Sequence, residues 1–169
     1  RGLQEKYEVH HGVEITDQSG DELFAAGMND GHLLVDVGAG MCDFDFYLRT
    51  ARGWKGRYLP IDAAIDGVDL NDWPRAEERI VDYMTAIEVL EHLDSPLAVL
   101  EKMCRIVRGA IVFTTPNTGV LGRQAVLAMD ATHRTPLSYT DFMGYDVRMQ
   151  ARSFFGTPDD TLLGVWRAQ

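Results

Sequence analysis

Apolar and polar positions follow two rhythms along the chain. Short apolar runs, each about the length of a buried strand, occur at Leu33–Val37, Val81–Ile87 and Ala110–Thr114. Arg57–Ile61 reads as a further strand, ending at Asp62. Between them the spacing becomes helical. Phe44–Ala51 follows a glycine turn, and Leu97, Leu100, Met103, Cys104 and Val107 recur on one face of a segment led by Ser95 and Pro96. Serine is a good N-cap, and proline at the first helical position gives up no needed N–H. Gly109 is expected to close that helix, and Pro116 to stop the strand after it. Residues 1–20 are polar and poorly periodic, with a short helix expected over Asp21–Ala26. Val120–Met129 reads as helical. Tyr145–Phe155 and Thr161–Arg167 read as two strands around a Gly-Thr-Pro-Asp-Asp turn, an antiparallel hairpin.

Strands alternating with helices predict an α/β fold with a doubly wound, mostly parallel, Rossmann-like sheet. One interval breaks the pattern. Five residues separate Asp62 from Val68, whereas a parallel crossover needs about a dozen or more. A helix and a strand cannot both fit there, so Ala63–Trp73 is expected to be mainly loop and the sheet about one strand short.

The bulk numbers narrow the class. A chain of 169 residues with 46% hydrophobic residues suits a single domain, 1–169, with a filled core. No apolar run nears the ~18–20 residues of a membrane span, and the N-terminus has no charged-then-apolar leader pattern. Cys42 and Cys104 do not make a disulfide framework, so a reducing cytoplasm is expected. The net charge of −10 disfavours a nucleic-acid partner, which calls for a basic footprint, and favours a small-molecule substrate. A short lid and an exposed sheet edge suit a homodimer.

Candidate chemistry gathers where the strands end. Val35-Asp36-Val37-Gly38-Ala39-Gly40 is a buried strand running into a turn at which the backbone must approach a ligand closely. In open α/β sheets, ligands lie beyond the carboxyl ends of the strands. Asp62 ends the second strand, where a carboxylate can accept from ribose hydroxyls. Glu88, Glu91 and His92 have the spacing i, i+3, i+4, which on a helical turn puts all three on one face. Two carboxylates and an imidazole suit Mg²⁺, Mn²⁺ or Zn²⁺, with His133 as a fourth ligand. The same residues also suit a metal-free hydrogen-bonded network, in which His92 or His133 is the catalytic base. Trp54, Trp73, Met84 and Met103 are expected in the core, Trp73 alternatively against an adenine. Cys42 is expected to be a small buried residue.

Read in order, Val-Asp-Val-Gly-Ala-Gly, Glu88-Val-Leu-Glu-His-Leu-Asp-Ser-Pro and Phe113-Thr-Thr-Pro-Asn resemble a class I S-adenosylmethionine-dependent methyltransferase over about Leu33 to Phe142. The third glycine of that family's turn is replaced by Cys42. The resemblance implies S-adenosylmethionine as cofactor. It implies binding by Gly38, Ala39 and Gly40 at the methionine portion, Asp62 and Ala63 at the ribose, Asp69 and Leu70 at the adenine, and Ile87 and Glu88 beside it. Asp36 would anchor the turn and reach the ammonium through water. The Glu-x-x-Glu-His arrangement is similar to the ubiquinone-biosynthesis O-methyltransferases. With the downstream histidine it is also similar to small-RNA 3′-terminal 2′-O-methyltransferases. Both imply a divalent ion that lowers a hydroxyl pKa. The expected reaction is methylation of a hydroxyl or amine of a small molecule. The alternative is a cofactor-binding relative that no longer catalyses and serves as a partner or regulator.

Overall fold

A computed structural model describes residues 2–74 and 80–169, giving only the backbone for residues 2–13 and Asp66. In chain order the elements are α1 (Gly2–Ala25), β1 (Leu33–Val37), α2 (Asp43–Ala51), β2 (Arg57–Ile61), α3 (Ala63–Asp66), β3 (Val81–Ile87) and α4 (Pro96–Ile106). They continue with β4 (Val107–Pro116), α5 (Thr118–Leu121), α6 (Arg123–Met129), β5 (Val147–Arg152) and β6 (Thr161–Arg167). Single 3₁₀ turns cover Leu90–His92 and Tyr139–Phe142.

Among the described residues the strands form one six-stranded sheet in the order β2-β1-β3-β4-β6-β5. The first four are mutually parallel, and β6 and β5 are antiparallel to their neighbours. The fold is thus the expected Rossmann-like one with its terminal hairpin, and β2 is an edge strand. The interval after β2 holds one helical turn, α3, followed by turns. Asp62 caps α3 by accepting from the Ala64 N–H at 2.8 Å.

Alternation along the central strands divides the core between the two faces of the sheet. Val35, Met84, Ile111 and Leu162 face α4, whose Leu100 and Met103 are fully buried against them. Their neighbours Leu34, Tyr83, Val112 and Leu163 face Leu23 of α1 and Phe44 and Leu48 of α2. Trp54 is buried on this second face, and its indole N–H donates to the Asn29 carbonyl at 3.0 Å. Trp73 packs, partly buried, against the first.

Several local expectations are corrected. Helix α1 is continuous from Gly2 instead of beginning at Asp21. Its inward row, Ile15, Ser19 and Leu23, includes a serine, which dilutes the apolar period. Gly109 does not close α4. That helix ends at Ile106 and the chain passes directly into β4 at Val107. Gly109 is instead a close-approach residue inside the strand, where a Cβ would come within 2.7 Å of the Asp82 carbonyl and 2.8 Å of the Tyr83 ring. Pro116 lies at the end of the strand rather than beyond it. Ser95 occupies the N-cap position of α4 without a side-chain capping bond. Val120–Met129 is broken at Gly122 into α5 and α6. The expected strand over Tyr145–Phe155 shortens to Val147–Arg152.

Candidate active site

The parallel strands deliver Gly38, Asp62, Glu88 and Asn117 to one edge of the sheet. At the β1 end the chain turns sharply. The Gly38 N–H donates to the Ile61 carbonyl at 2.7 Å, and the Gly40 N–H donates to Asp62 Oδ2 at 3.0 Å. Gly38 has φ 71°, and a Cβ there would fall 2.3 Å from Val89 Cγ2. Gly40 has φ 49° but faces open space, with nothing within 4 Å of where a Cβ would be. The turn is therefore packed tightly underneath and open above. Cys42 holds the position of the missing glycine in the same left-handed region, at φ 60°. It is half-buried, not the buried filler the sequence suggests, and burial and nearby acids, Asp36 first, raise its thiol pKa.

Asp36 lies beneath the turn, buried, and accepts from the Tyr58 hydroxyl of β2 and from Thr85 Oγ1 of β3 at 2.7 Å. Burial pushes its pKa up to about 6 against the opposing pull of these two bonds. It joins three strands through side chains. Asp62 has one oxygen on the Gly40 N–H and the other on the Ala64 N–H. Each oxygen keeps a further lone pair, so the carboxylate can still accept from a ligand hydroxyl. Asp69 folds back on Asn71, accepting from its backbone at 2.9 Å and its amide at 3.1 Å. Leu70 packs on the α4 face and Ile87 on the opposite one. Ala63 opens α3 directly after Asp62.

The second part of the site lies beyond β3. Glu88 takes φ 53°, and its N–H donates to the Thr114 carbonyl and Thr114 Oγ1, both at 3.1 Å. The 3₁₀ turn that follows carries Glu91 and His92. Because the turn is 3₁₀ and Glu88 precedes it in a left-handed conformation, the three side chains do not share the one helical face expected of them. The structure instead brings together Glu91, His92 and His133, with one ligating atom from each within 4.8 Å of the others. Glu88 is not in that group.

Glu91 is completely buried, and neither carboxyl oxygen completes a well-formed hydrogen bond, although the Thr115 hydroxyl and its own backbone N–H lie near enough to oppose the rise in its pKa. Burial raises its pKa well above the carboxylate range, and the neighbouring Glu88 charge adds to the rise. Glu88 Oε1 and Thr115 Oγ1 are likewise buried and unpartnered. Burial lifts the Glu88 carboxyl to about 7. His92 Nε2 lies 3.9 Å from Glu91 Oε1, and burial and then His133 lower its pKa. The two imidazoles meet edge to face, centroids 4.7 Å apart.

The segment carrying His133 is clamped over this group. The Arg134 and Thr135 N–H groups donate to the Glu91 carbonyl at 2.8 and 3.0 Å, and Arg134 pairs with Asp94 at 2.8 Å. His133 Nδ1 bonds the Val126 carbonyl of α6 at 2.6 Å, and His92 Nδ1 bonds Thr132 Oγ1 at 2.8 Å. Thr132 also donates to Asp130 at 2.6 Å, and this bond above all lowers the Asp130 pKa. Sequence reasoning missed Thr132 and Asp130. The signal was their position beside His133. Asp160, in the turn before β6, is fully buried. It accepts from the N–H groups of Phe154, Phe155 and Thr157 at 2.8, 2.8 and 3.0 Å, and from Thr161 Oγ1.

A family model described as a methyltransferase domain matches residues 18–157. Among solved structures, an S-adenosylmethionine-dependent methyltransferase from Archaeoglobus fulgidus is similar at a TM-score of 0.65 and 13% identity, over 90% of this chain and 94% of that one. The plantazolicin methyltransferase BamL, solved with a triazolic desmethylPZN analog and SAH, is similar at 0.65 and 12%, over 98% and 90%. The [4+2]-cyclase SpnF is similar at 0.58 and 16%, over 81% of this chain and 58% of that one. At these identities the likeness concerns the fold alone. No curated protein matches the chain.

Proposed function

Since the chain belongs to the methyltransferase-domain family, of the class I S-adenosylmethionine-dependent kind, we propose that it transfers a methyl group to a hydroxyl or amine of a small molecule, with a divalent ion assisting at Glu91, His92 and His133. One observation carries the second half of this reading. A buried carboxylate neither of whose oxygens completes a well-formed hydrogen bond stands beside two imidazoles. Buried polar atoms without partners are costly and rare, so such a pocket is built for something that supplies the missing contacts.

The residues present fit a cation. With two imidazoles to one carboxylate, the donor set suits Zn²⁺ or Mn²⁺ better than Mg²⁺, which takes oxygen ligands almost throughout. Such an ion would polarise an acceptor hydroxyl and lower its pKa. The chain's own residues do the rest. The glycine turn, open above Gly40, admits the methionine end of the cofactor, and Asp62 accepts from its sugar. Holding the sulfonium methyl and the acceptor in line lowers the entropic part of the barrier. The carbon–sulfur bond breaks as the new bond to oxygen or nitrogen forms. An imidazole that holds an ion has no lone pair for the acceptor proton, which then leaves to solvent; only in an ion-free site would Nε2 of His92 or His133 take it. An amine acceptor needs only its lone pair and a route for that proton.

Two measurements test the reading. Calorimetry with S-adenosylhomocysteine should show binding, weakened in Asp62→Ala by about 1.5–3 kcal/mol per charged hydrogen bond lost. Turnover of S-adenosylmethionine against a metabolite panel should fall on EDTA treatment, and Glu91→Gln should remove that sensitivity. Absence of S-adenosylhomocysteine binding would overturn the whole proposal. Binding without any turnover would point to a non-catalytic relative. Turnover indifferent to EDTA would remove the ion.

A further inference from the structure

The hydrogen bonds around His92 have a forced direction. Asp130 carries a carboxylate, which accepts and does not donate. Thr132 has a single hydroxyl proton, and at 2.6 Å that proton goes to Asp130 Oδ1, which also takes the Thr132 N–H at 2.7 Å. The hydroxyl oxygen is then left only its lone pairs for His92 Nδ1, 2.8 Å away. A bond between the two requires the proton on Nδ1. The lone pair of the neutral ring therefore sits on Nε2, which faces Glu91 at 3.9 Å. His133 obeys the same logic through a different partner. The Val126 carbonyl, 2.6 Å from its Nδ1, has no proton to give, so that ring is also an Nδ1 donor and keeps its lone pair on Nε2.

We infer that Thr132 and Asp130 are positioning residues that lock His92 as its Nδ1–H tautomer, so that the pocket meets its ligand with the bare Nε2 lone pairs of both imidazoles. Two such lone pairs side by side select ligands that bring positive charge or N–H and O–H donors. The inference uses the site of the proposed function, but the lock exists in the free protein whatever occupies that site. Outer hydrogen-bond partners of this kind typically set ligand affinity by about 10–100-fold.

The test reads the tautomer directly. Ring ¹⁵N chemical shifts of the ligand-free protein, above the His92 titration, distinguish Nδ1–H from Nε2–H. Wild-type protein should show His92 and His133 as Nδ1–H. Thr132→Val should release His92 to the Nε2–H form while leaving His133 unchanged, and Thr132→Ser should restore it. The 132–135 backbone is anchored on the Glu91 carbonyl independently of the Thr132 side chain, and amide spectra of each variant report that the fold is kept. An Nε2–H signal for His92 in wild type, or no change in Thr132→Val, would overturn the inference. Titration with Zn²⁺ separates it from the wider reading. Thr132→Val should weaken the ion by about tenfold or more and Thr132→Ser should not. Wild-type protein that shows the predicted tautomers but binds no ion supports the lock and removes the ion from the proposed function.

Discussion

At the scale of single residues, the site is defined by atoms that are held and atoms that are not. Asp36 is held. Its folded pKa of about 6 lies above the ordinary 3.8 because burial outweighs two hydrogen bonds. The sign follows from linkage. A raised acid binds its proton more tightly in the folded state, so its contribution to stability is fully present below 3.8 and is lost as pH rises through about 6. The loss is on the order of 3 kcal/mol at about 1.36 per pKa unit. Denaturant titrations on both sides of that window should show wild-type stability falling relative to Asp36→Asn as pH rises. Parallel pH profiles would show that Asp36 ionises freely in the fold. The two turn glycines separate packing from ligand contact. Gly38→Ala drives a methyl into buried Val89 and should destabilise the fold by about 1–3 kcal/mol. Gly40→Ala carries only the left-handed penalty of about 1–2 kcal/mol, but it fills the open side of the turn. Melting and S-adenosylhomocysteine calorimetry on the pair should show the larger stability loss in the first and the larger affinity loss relative to stability in the second. Val-Asp-Val-Gly-Ala-Gly was legible because a buried strand ending in glycines has few other uses. The departure of Glu88 from its cluster was not legible, because i, i+3, i+4 spacing implies a shared face only on an α-helix, and the chain there is 3₁₀.

At the scale of elements, the long connection from β4 to β5 supplies most of the second half of the site, and Asp160 fixes where that connection starts. Its carboxylate gathers three backbone N–H groups and a hydroxyl from the β5–β6 turn, while its own carbonyl takes the Asn117 N–H at 2.7 Å. Asn117 then caps α5 through the Gly119 N–H at 3.1 Å. Asp160→Ala should therefore cost at least about 2–3 kcal/mol, since bonds to a buried charged acceptor are each worth about 1.5–3. It should also speed hydrogen exchange at Asn117. An unchanged Asn117 amide would show that the two turns are held independently. Apolar runs located β1, β3 and β6 to the residue because these strands are buried on both faces and so read as nearly continuous apolar stretches. The apolar pattern misplaced the boundary between α4 and β4 because an apolar stretch such as Cys104–Val112 satisfies helix and strand periods alike.

At the scale of the whole molecule, the mostly parallel sheet followed from the alternation of strands and helices, and the hairpin from two strands around a short turn; the strand order is seen only in the fold. Among the described residues no strand lies between β2 and β3, in keeping with the five residues after Asp62 being too few for a crossover. The grouping of Glu91 and His92 with His133 was named from ligand chemistry, whereas the approach of residue 133 to residue 91 rests on backbone bonds formed across a long loop, which no spacing in the sequence encodes. Among the described residues no helix is long and apolar enough to cross a membrane. The two rims of the sheet differ in kind. On one rim lie the glycine turn, the 3₁₀ turn with Glu91, and the thirty residues from 117 to 146 that carry His133. On the other, α4 becomes β4 without a single intervening residue. That joint has no slack. An inserted residue there must either unwind the helix or slide β4 by one position and turn Ile111 and Phe113 toward the wrong layer. Diversification of what this scaffold acts upon is thereby channelled to the loose rim, while the taut one keeps time for the register of the whole sheet.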